Sequence, residues 1–356
     1  MDGVGLLALS EERQAQVDAV LARFFSLAKN RATTMGPQYM RLWESLEANT
    51  TGGKRFRPRM VMAAYQSLGG TDTEAAAYVG AAFELLHTAL IVHDDVIDRD
   101  FLRRGLPNIA GTFRQLAAEH GASDRVADHA GLSAAVIAGD LALFNSYRLI
   151  DRSGVSSLTR ARLLEVMDDA LFASAAGELI DVDFANLPEV PRVDDILTME
   201  RLKTAVYTFE CPLQAGAILA GASDDVVTTL GDFGRDIGIA YQIVDDLLGV
   251  FGLEAETGKS TLGDLREGKR TVLIAYASST TEWEGVAHLF GDHELDEPGA
   301  QLVRDALIDC GARSFAQGLA RYYANRALAR LAEPHIPPAL RDELHPVADA
   351  VLGRAK

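Results

Sequence analysis

Apolar residues recur along most of this chain at intervals of three and four, the spacing that lines one side of an α-helix. Val17, Val20, Leu21, Phe24, Phe25 and Leu27 form one such stripe near the start. Runs of alternating β-branched residues bounded by turn residues are nearly absent, so strands are not expected. Turn signals punctuate the helical stretches at Gly52-Gly53, Gly69-Gly70, His120-Gly121, Pro188 to Pro191, Gly221, Gly252 to Gly268 and Pro337-Pro338. Between them lie helices of roughly 15 to 30 residues, longer than the usual globular helix. Length alone suggests about two domains. No low-complexity linker or fixed-period repeat divides the chain, and the pattern predicts one all-α domain over residues 1–356.

One apolar run, Ala75 to Val92, has the length of a membrane span. Glu84 and His87 interrupt it and Asp94 and Asp95 follow at once, which predicts a helix buried in a helical bundle instead. The first residues, MDGVGLLALSEER, lack a basic region followed by a long apolar core, so no signal peptide is expected. Cys211 and Cys310 lie far apart outside any CxxC pattern, which suits a reduced cytoplasmic setting and neither a disulfide framework nor a zinc site. Net charge is −17, which disfavours nucleic acid and anionic membrane as partners. An anionic substrate would then need local cations or metal.

Charge is concentrated where that buried helix ends. His93 to Gly105, HDDVIDRDFLRRG, holds four aspartates and three arginines in thirteen residues. Asp94 and Asp98 stand four apart, so on a helix they share a face with Cβ atoms roughly 5–6 Å from each other. Like charges so placed repel by at least a few tenths of a kcal/mol, and a hard cation reverses that cost; carboxylates suit Mg²⁺. Asp95 falls on a neighbouring face, within reach of metal-bound water. A second pair, Asp245 and Asp246, follows another apolar helical run in GIAYQIVDDLLGVFG.

The cations come in separate groups. Lys54, Arg55 and Arg57 lie in a turn before Pro58, a residue favoured in the first turn of a helix. A helix N-terminus flanked by cations is an anion site. Arg103 and Arg104 follow the first acidic motif, Lys203 sits in RLKTA, and Lys259 and Lys269 occupy the glycine-rich stretch after the second. Together they supply the local positive charge that a chain of this acidity needs to hold polyanions. No Ser/His/Asp set suggests nucleophilic catalysis.

GGKRFRP, ELLHTALIVHDDVIDRDFLRRG, RLKTA and YQIVDDLLGVFG followed by TGK stand in the order found in the trans-isoprenyl diphosphate synthases, the polyprenyl synthetases, and the chain resembles that family from about Gly52 to Arg270. The resemblance implies long antiparallel helices in a single large bundle around a central prenyl-chain cavity. It implies that Asp94, Asp98 and Asp245 ligate Mg²⁺ on an allylic diphosphate, supported by Asp95 and Asp246, with about three ions taking part. Arg103, Lys203 and Lys259 then hold that diphosphate, Lys54, Arg57, His87 and Arg104 the isopentenyl diphosphate, and Lys269 is a further substrate-binding cation. Thr204 and Gln242 turn oxygen dipoles towards the allylic cation. A homodimer is expected, with no nucleic acid partner and no transmembrane segment.

The implied reaction is condensation of isopentenyl diphosphate with dimethylallyl, geranyl or farnesyl diphosphate. The alternatives are a class I terpene cyclase, which needs only one diphosphate pocket, and a silent subunit of a heteromeric prenyltransferase. Two positions depart from the family pattern: Gly249 replaces the usual last aspartate of the second motif, its role passing to solvent, and Glu178 stands where glutamine is common. For product length, Phe83, Leu86, Ala89 and Leu90 lie upstream of Asp94. Phe83 is three turns away, roughly 16 Å, room for on the order of three to four prenyl units. Geranylgeranyl diphosphate is the expected product, with farnesyl or longer polyprenyl diphosphates as alternatives.

Overall fold

Helices fill the intervals between the turn signals, and Gly52, Gly53, Gly69, Gly121 and Gly221 take the positive φ angles that end them. The computed structural model describes residues 10–354 except 54, 104, 187–188 and 253–260. The chain groups into two compact units, Leu7–Asp168 with Gln214–Ser223, and Asp169–Leu213 with Asp224–Lys356.

The first unit runs through α1 (Glu11–Ala32), α2 (Pro37–Thr50), α3 (Phe56–Ser67) and α4 (Thr73–Ile97). A short hairpin of β1 (Leu102–Arg103) and β2 (Leu106–Pro107) leads to α5 (Ile109–Glu119), α6 (Asp124–Asp151) and the start of α7 (Ser157–Asn186). The α1 stripe is buried as predicted except at Leu27, which is exposed. α4 is the core of this unit, packed by α1, α3 and α6. Asp72 caps it, accepting a hydrogen bond from the Ala75 amide at 3.0 Å, and Phe83, Leu85, Leu86 and Ala89 are fully buried. Its most apolar window is 78% buried, so the run with the length of a membrane span is a core helix.

α4 ends on the first acidic motif. Asp98 is its C-cap, Arg99 takes a left-handed conformation at φ 58°, and the Asp100 amide donates back to the Asp95 carbonyl at 2.8 Å. This is a Schellman closure built without the usual glycine. The chain then turns into the hairpin, two residues per strand, that the sequence pattern did not predict. Asn108 secures it, accepting from the Gly111 amide and donating to the Asp100 carbonyl, each at 2.8 Å.

The second unit continues α7 and adds α8 (Val193–Glu200), a π-helix (Arg201–Glu210), the start of α9 (Cys211–Leu219) and α10 (Asp224–Phe251). Beyond these lie α11 (Gly263–Arg266), α12 (Val272–Ala277), α13 (Thr281–Glu284), α14 (Glu297–Asp309), α15 (Ala312–Leu331) and α16 (Pro338–Gly353). α10 is the central helix here, packed against the π-helix and α15. Its buried face includes Leu230, Phe233, Ile237, Ala240, Ile243 and Val244, a spacing of three and four continued to the second acidic motif.

Candidate active site

Both acidic motifs stand at the C-terminal ends of apolar helices. Unpaired carbonyls make such an end partially negative, so carboxylates placed there are electrostatically unfavourable by themselves. Each unit answers with cations of its own.

In the first unit Asp94 is half-buried, Asp95 is 3% exposed and Asp98 is exposed. Arg103 reaches back from the hairpin to Asp95 Oδ1, with its Nε at 3.0 Å and its Nη2 at 2.5 Å, and its Nη2 also lies 3.4 Å from Asp94 Oδ2. Burial holds the Asp95 carboxyl above its ordinary range despite the pull of Arg103. Arg55 and Arg57 separate into two roles. Arg55 is buried at the N-cap of α3 and bridges Glu84 at 3.0 Å and Asp18 at 2.7 Å, so it ties helices together. Arg57 is half-buried in the first turn of α3, and His87 is half-buried on α4. Lys54 and Arg104 lie outside the described residues. Phe83, Leu86 and Ala89 are in the packed interior, while Leu90 is only partly covered. Two surface pockets in this unit, of about 420 and 350 Å³, are lined by none of these four.

In the second unit the π-helix carries Lys203 and Thr204, both half-buried. Stretches of π-helix are uncommon and concentrate at functional sites. α7 approaches this one closely because residue 177 is glycine: a Cβ there would lie 2.2 Å from the Lys203 amide nitrogen. That approach brings Glu178 and Asp181, on one face of α7, to 3.0 and 2.7 Å from Lys203 Nζ. Glu178, at the departure from the family pattern, therefore pairs with a predicted diphosphate cation.

On α10, Asp246 is 2% exposed and its Oδ1 accepts from Gln242 Nε2 at 3.0 Å and from Lys269 Nζ at 3.1 Å. The Asp246 carboxylate holds the Lys269 ammonium well above the usual lysine range. Asp245 lies 3.4 Å from Nη2 of Arg354, whose guanidinium stacks 5.0 Å above the Tyr241 ring. Lys259 lies outside the described residues.

Sequence reasoning missed two of these neighbours. Arg354 follows α16 outside any motif, and only folding brings it to Asp245. Glu200 precedes RLKTA; it is 2% exposed, and neither carboxylate oxygen meets a hydrogen-bond donor among the described residues. Burial, with Asp246 as its strongest acidic influence, pushes its carboxyl well above the ordinary range. Nothing in the local pattern marks a buried acid at that position.

The profile of the polyprenyl synthetases matches residues 40–299, most of the chain and parts of both units. The chain belongs to the polyprenyl synthetase family. It is accordingly an isoprenyl diphosphate synthase, an enzyme of the trans-prenyl class. This polyprenyl synthetase is 32% identical over 317 residues to the geranylfarnesyl diphosphate synthase of Aeropyrum pernix, covering 88% of this chain and 93% of that protein. It is 32% identical over 289 residues to the geranylgeranyl diphosphate synthase of Saccharolobus solfataricus, covering 80% of this chain and 81% of that one. Its fold matches the crystal structure of geranylgeranyl pyrophosphate synthase from Corynebacterium glutamicum with a TM-score of 0.88 at 28% identity, over 96% of this chain and 98% of that one. The Corynebacterium protein was crystallised with isoprenyl diphosphate and magnesium. The isoprenoid synthase fold is thus the fold of this chain.

Proposed function

We propose that this synthase condenses isopentenyl diphosphate with dimethylallyl, geranyl and farnesyl diphosphates in turn, and that its main product is geranylgeranyl diphosphate. The observation that carries the reading is the pairing of each acidic helix end with basic side chains, Arg103 at Asp94 and Asp95, Lys269 and Arg354 at Asp246 and Asp245. Carboxylates alone would repel a diphosphate, and cations alone would bind any anion. The combination selects a diphosphate that arrives with metal.

The donor set fits Mg²⁺. All candidate ligands are carboxylates, and no three acidic, imidazole or thiol side chains among the described residues converge closely enough to hold an ion by themselves. Mg²⁺ bound in that manner shares its coordination with substrate phosphates and water. Asp94, Asp98 and Asp245 would hold it, supported by Asp95 and Asp246, and about three ions accord with the resemblance. When bound, Mg²⁺ neutralises the diphosphate and makes it a better leaving group.

The chain's own residues do the rest. Lys203, Lys259, Lys269 and Arg103 hold the departing diphosphate as the carbon–oxygen bond breaks, with electrostatic stabilisation growing as charge develops on it. Lys54, Arg57, His87 and Arg104 hold isopentenyl diphosphate so that its alkene reaches the allylic carbon. Gln242, whose amide nitrogen is engaged by Asp246, offers its oxygen to the cation together with Thr204. A proton then leaves the condensed intermediate for the departed diphosphate, so no protein nucleophile is needed. Both units belong to one synthase domain in this reading, and two copies of the chain form the working enzyme.

Purified protein supplied with Mg²⁺, isopentenyl diphosphate and farnesyl diphosphate should release a twenty-carbon product, identified by chromatography after dephosphorylation. Asp94→Ala should lower turnover by a factor of 10² or more, in the range expected for loss of charge stabilisation at a leaving group, roughly 3–4 kcal/mol. Full activity of that variant, or of wild type in excess EDTA, would rule out the metal-assisted reading.

A further inference from the structure

Lys269 meets Asp246 from a stretch with little structure of its own. α11, Gly263–Arg266, is four residues long, too short to be stable as a helix by itself. Its place beside α10 must come from other contacts, and two guanidiniums supply them. Arg266 leaves α11 and donates Nε and Nη2 to the Leu295 carbonyl at 2.9 and 2.7 Å, just before Asp296, the N-cap of α14. Arg304 leaves α14 in the opposite direction. It donates Nη2 to Thr261 Oγ1, just ahead of α11, at 3.0 Å and Nε to the Val250 carbonyl, in the last turn of α10, at 2.8 Å. Its Nη1 lies 2.6 Å from Glu297 at the start of its own helix.

We infer that Arg304 is a positioning residue for the second acidic motif: one buried guanidinium sets the spacing between the end of α10 and the turn that delivers Lys269 to Asp246. Resting on the metal-assisted reading above, this gives Arg304 an indirect part in binding the allylic diphosphate.

Burial and the choice of acceptors both support that role. Arg304 is 8% exposed and Thr261 9%. A guanidinium so deeply placed is costly unless its donors are met, and an apolar side chain of similar volume often fills such a place without loss of stability. The charge therefore serves something other than packing. The last carbonyls of α10 make its end partially negative, and the two aspartates of the motif add to that, so a cation held there offsets both. Val250 lies one helical turn beyond Asp246, so the rigid last turn carries its position to the carboxylate.

On the other side, the turn after α11 is closed by the Lys269 amide, which donates to the Asp264 carbonyl at 3.0 Å, and Lys269 Nζ then lies 3.1 Å from Asp246 Oδ1. A shift of Val250 moves one partner of that ion pair and a shift of Thr261 moves the other. Arg304 holds both while itself contacting α10 only at a backbone carbonyl.

Binding of inorganic pyrophosphate in the presence of Mg²⁺, followed by isothermal titration calorimetry, reads this positioning without turnover. Arg304→Met, which keeps the bulk and removes every donor, should weaken binding by on the order of 10-fold, as small misplacements at a site of fixed geometry do. Arg304→Lys keeps the charge but cannot serve both acceptors, and should recover only part of the loss. Thr261→Val changes no charge and should also weaken binding in the wild-type background. Added to Arg304→Met it should change affinity by less than about two-fold, because the bond it removes is already gone. In steady state the Michaelis constant for the allylic diphosphate should rise in Arg304→Met while that for isopentenyl diphosphate stays put, a split that a general loss of folded enzyme would not produce. Circular dichroism melts establish which variants fold, and Thr261→Val, the loss of a single hydroxyl, carries the test if Arg304→Met does not. Wild-type pyrophosphate affinity in folded Arg304→Met or in Thr261→Val overturns the inference and leaves the metal-assisted reading standing. If wild type itself binds no pyrophosphate with Mg²⁺, both fall.

Discussion

Lys203 and Glu200 stand three residues apart in the chain and meet their acidic neighbours in opposite ways. Lys203 faces two carboxylates, Glu178 and Asp181, and all three remain about a quarter exposed, so a diphosphate can displace them. Glu200 is sealed in, with no donor on either oxygen among the described residues and Asp246 as its strongest acidic influence. An ionised carboxylate so placed is strongly disfavoured, and a proton on Glu200 turns the acid–acid approach into a hydrogen bond. The folded chain thus holds this proton more tightly than the unfolded chain, where glutamate titrates near 4.5. Stability from this group is fully present below that value and is lost as pH rises towards the folded-state value. Glu200→Gln removes the loss. Its melting temperature should gain on wild type progressively as pH rises from the unfolded value towards the folded-state value. A difference that stays constant across that range would contradict a protonated Glu200.

At the scale of the element, α4 joins the acidic helix end to the residues proposed to limit the product. At about 100° per residue, Phe83 lies within about 20° of the Asp94 direction and Leu90 within about 40°, whereas Ala89 lies about 140° away. Phe83 is thus the more direct probe of a pocket floor. Phe83→Ala should lengthen the products beyond those of wild type, while Ala89→Phe should shorten them. Phe83 is completely buried, so its truncation also carries a stability cost of about 3–5 kcal/mol. Product chromatography should therefore be run well below the variant's melting temperature. Identical product profiles in both variants would remove these residues from the pocket floor.

At the scale of the whole molecule, α6 separates from the other long helices. Only 33% of its most apolar window is buried, and Val136, Ile137 and Phe144 are exposed along it at 42%, 51% and 65%. Small residues on the opposite side, Ala134, Ala135, Ala138, Gly139 and Ala142, already pack against the first unit. An apolar stripe left over after a helix has satisfied its own core is what a second copy can cover. The proposed homodimer uses this stripe. Wild-type protein at micromolar concentration should sediment as a dimer and Phe144→Asp should shift it towards monomer. A monomeric wild type would refute the assembly.

The helices, their order and the acidic and basic groups were legible because each rests on local information: a period near 3.6, glycines at turns, and charged residues concentrated where apolar runs end. Asp94, Asp98, Asp245, Lys203 and Lys269 follow from that pattern and from family resemblance. Contacts distant in sequence were not legible. Arg55 and Arg57 read alike in GGKRFRP, and only burial against Asp18 and Glu84 makes one of them structural. Leu27 fits the α1 stripe by period yet stays exposed, because a stripe states which side of a helix is apolar and not how far a neighbour extends to cover it. Nothing near Glu200 in the chain discloses its burial, and nothing near Gly249 discloses the Asp264 carboxylate, 2.0 Å from where a Cβ at 249 would stand, in the space expected for solvent. Periodicity reports what a helix presents. What occupies the space in front of it depends on segments that only the folded chain brings there, as α14 brings Arg304 to a carbonyl of α10 that stands 54 residues away in the chain.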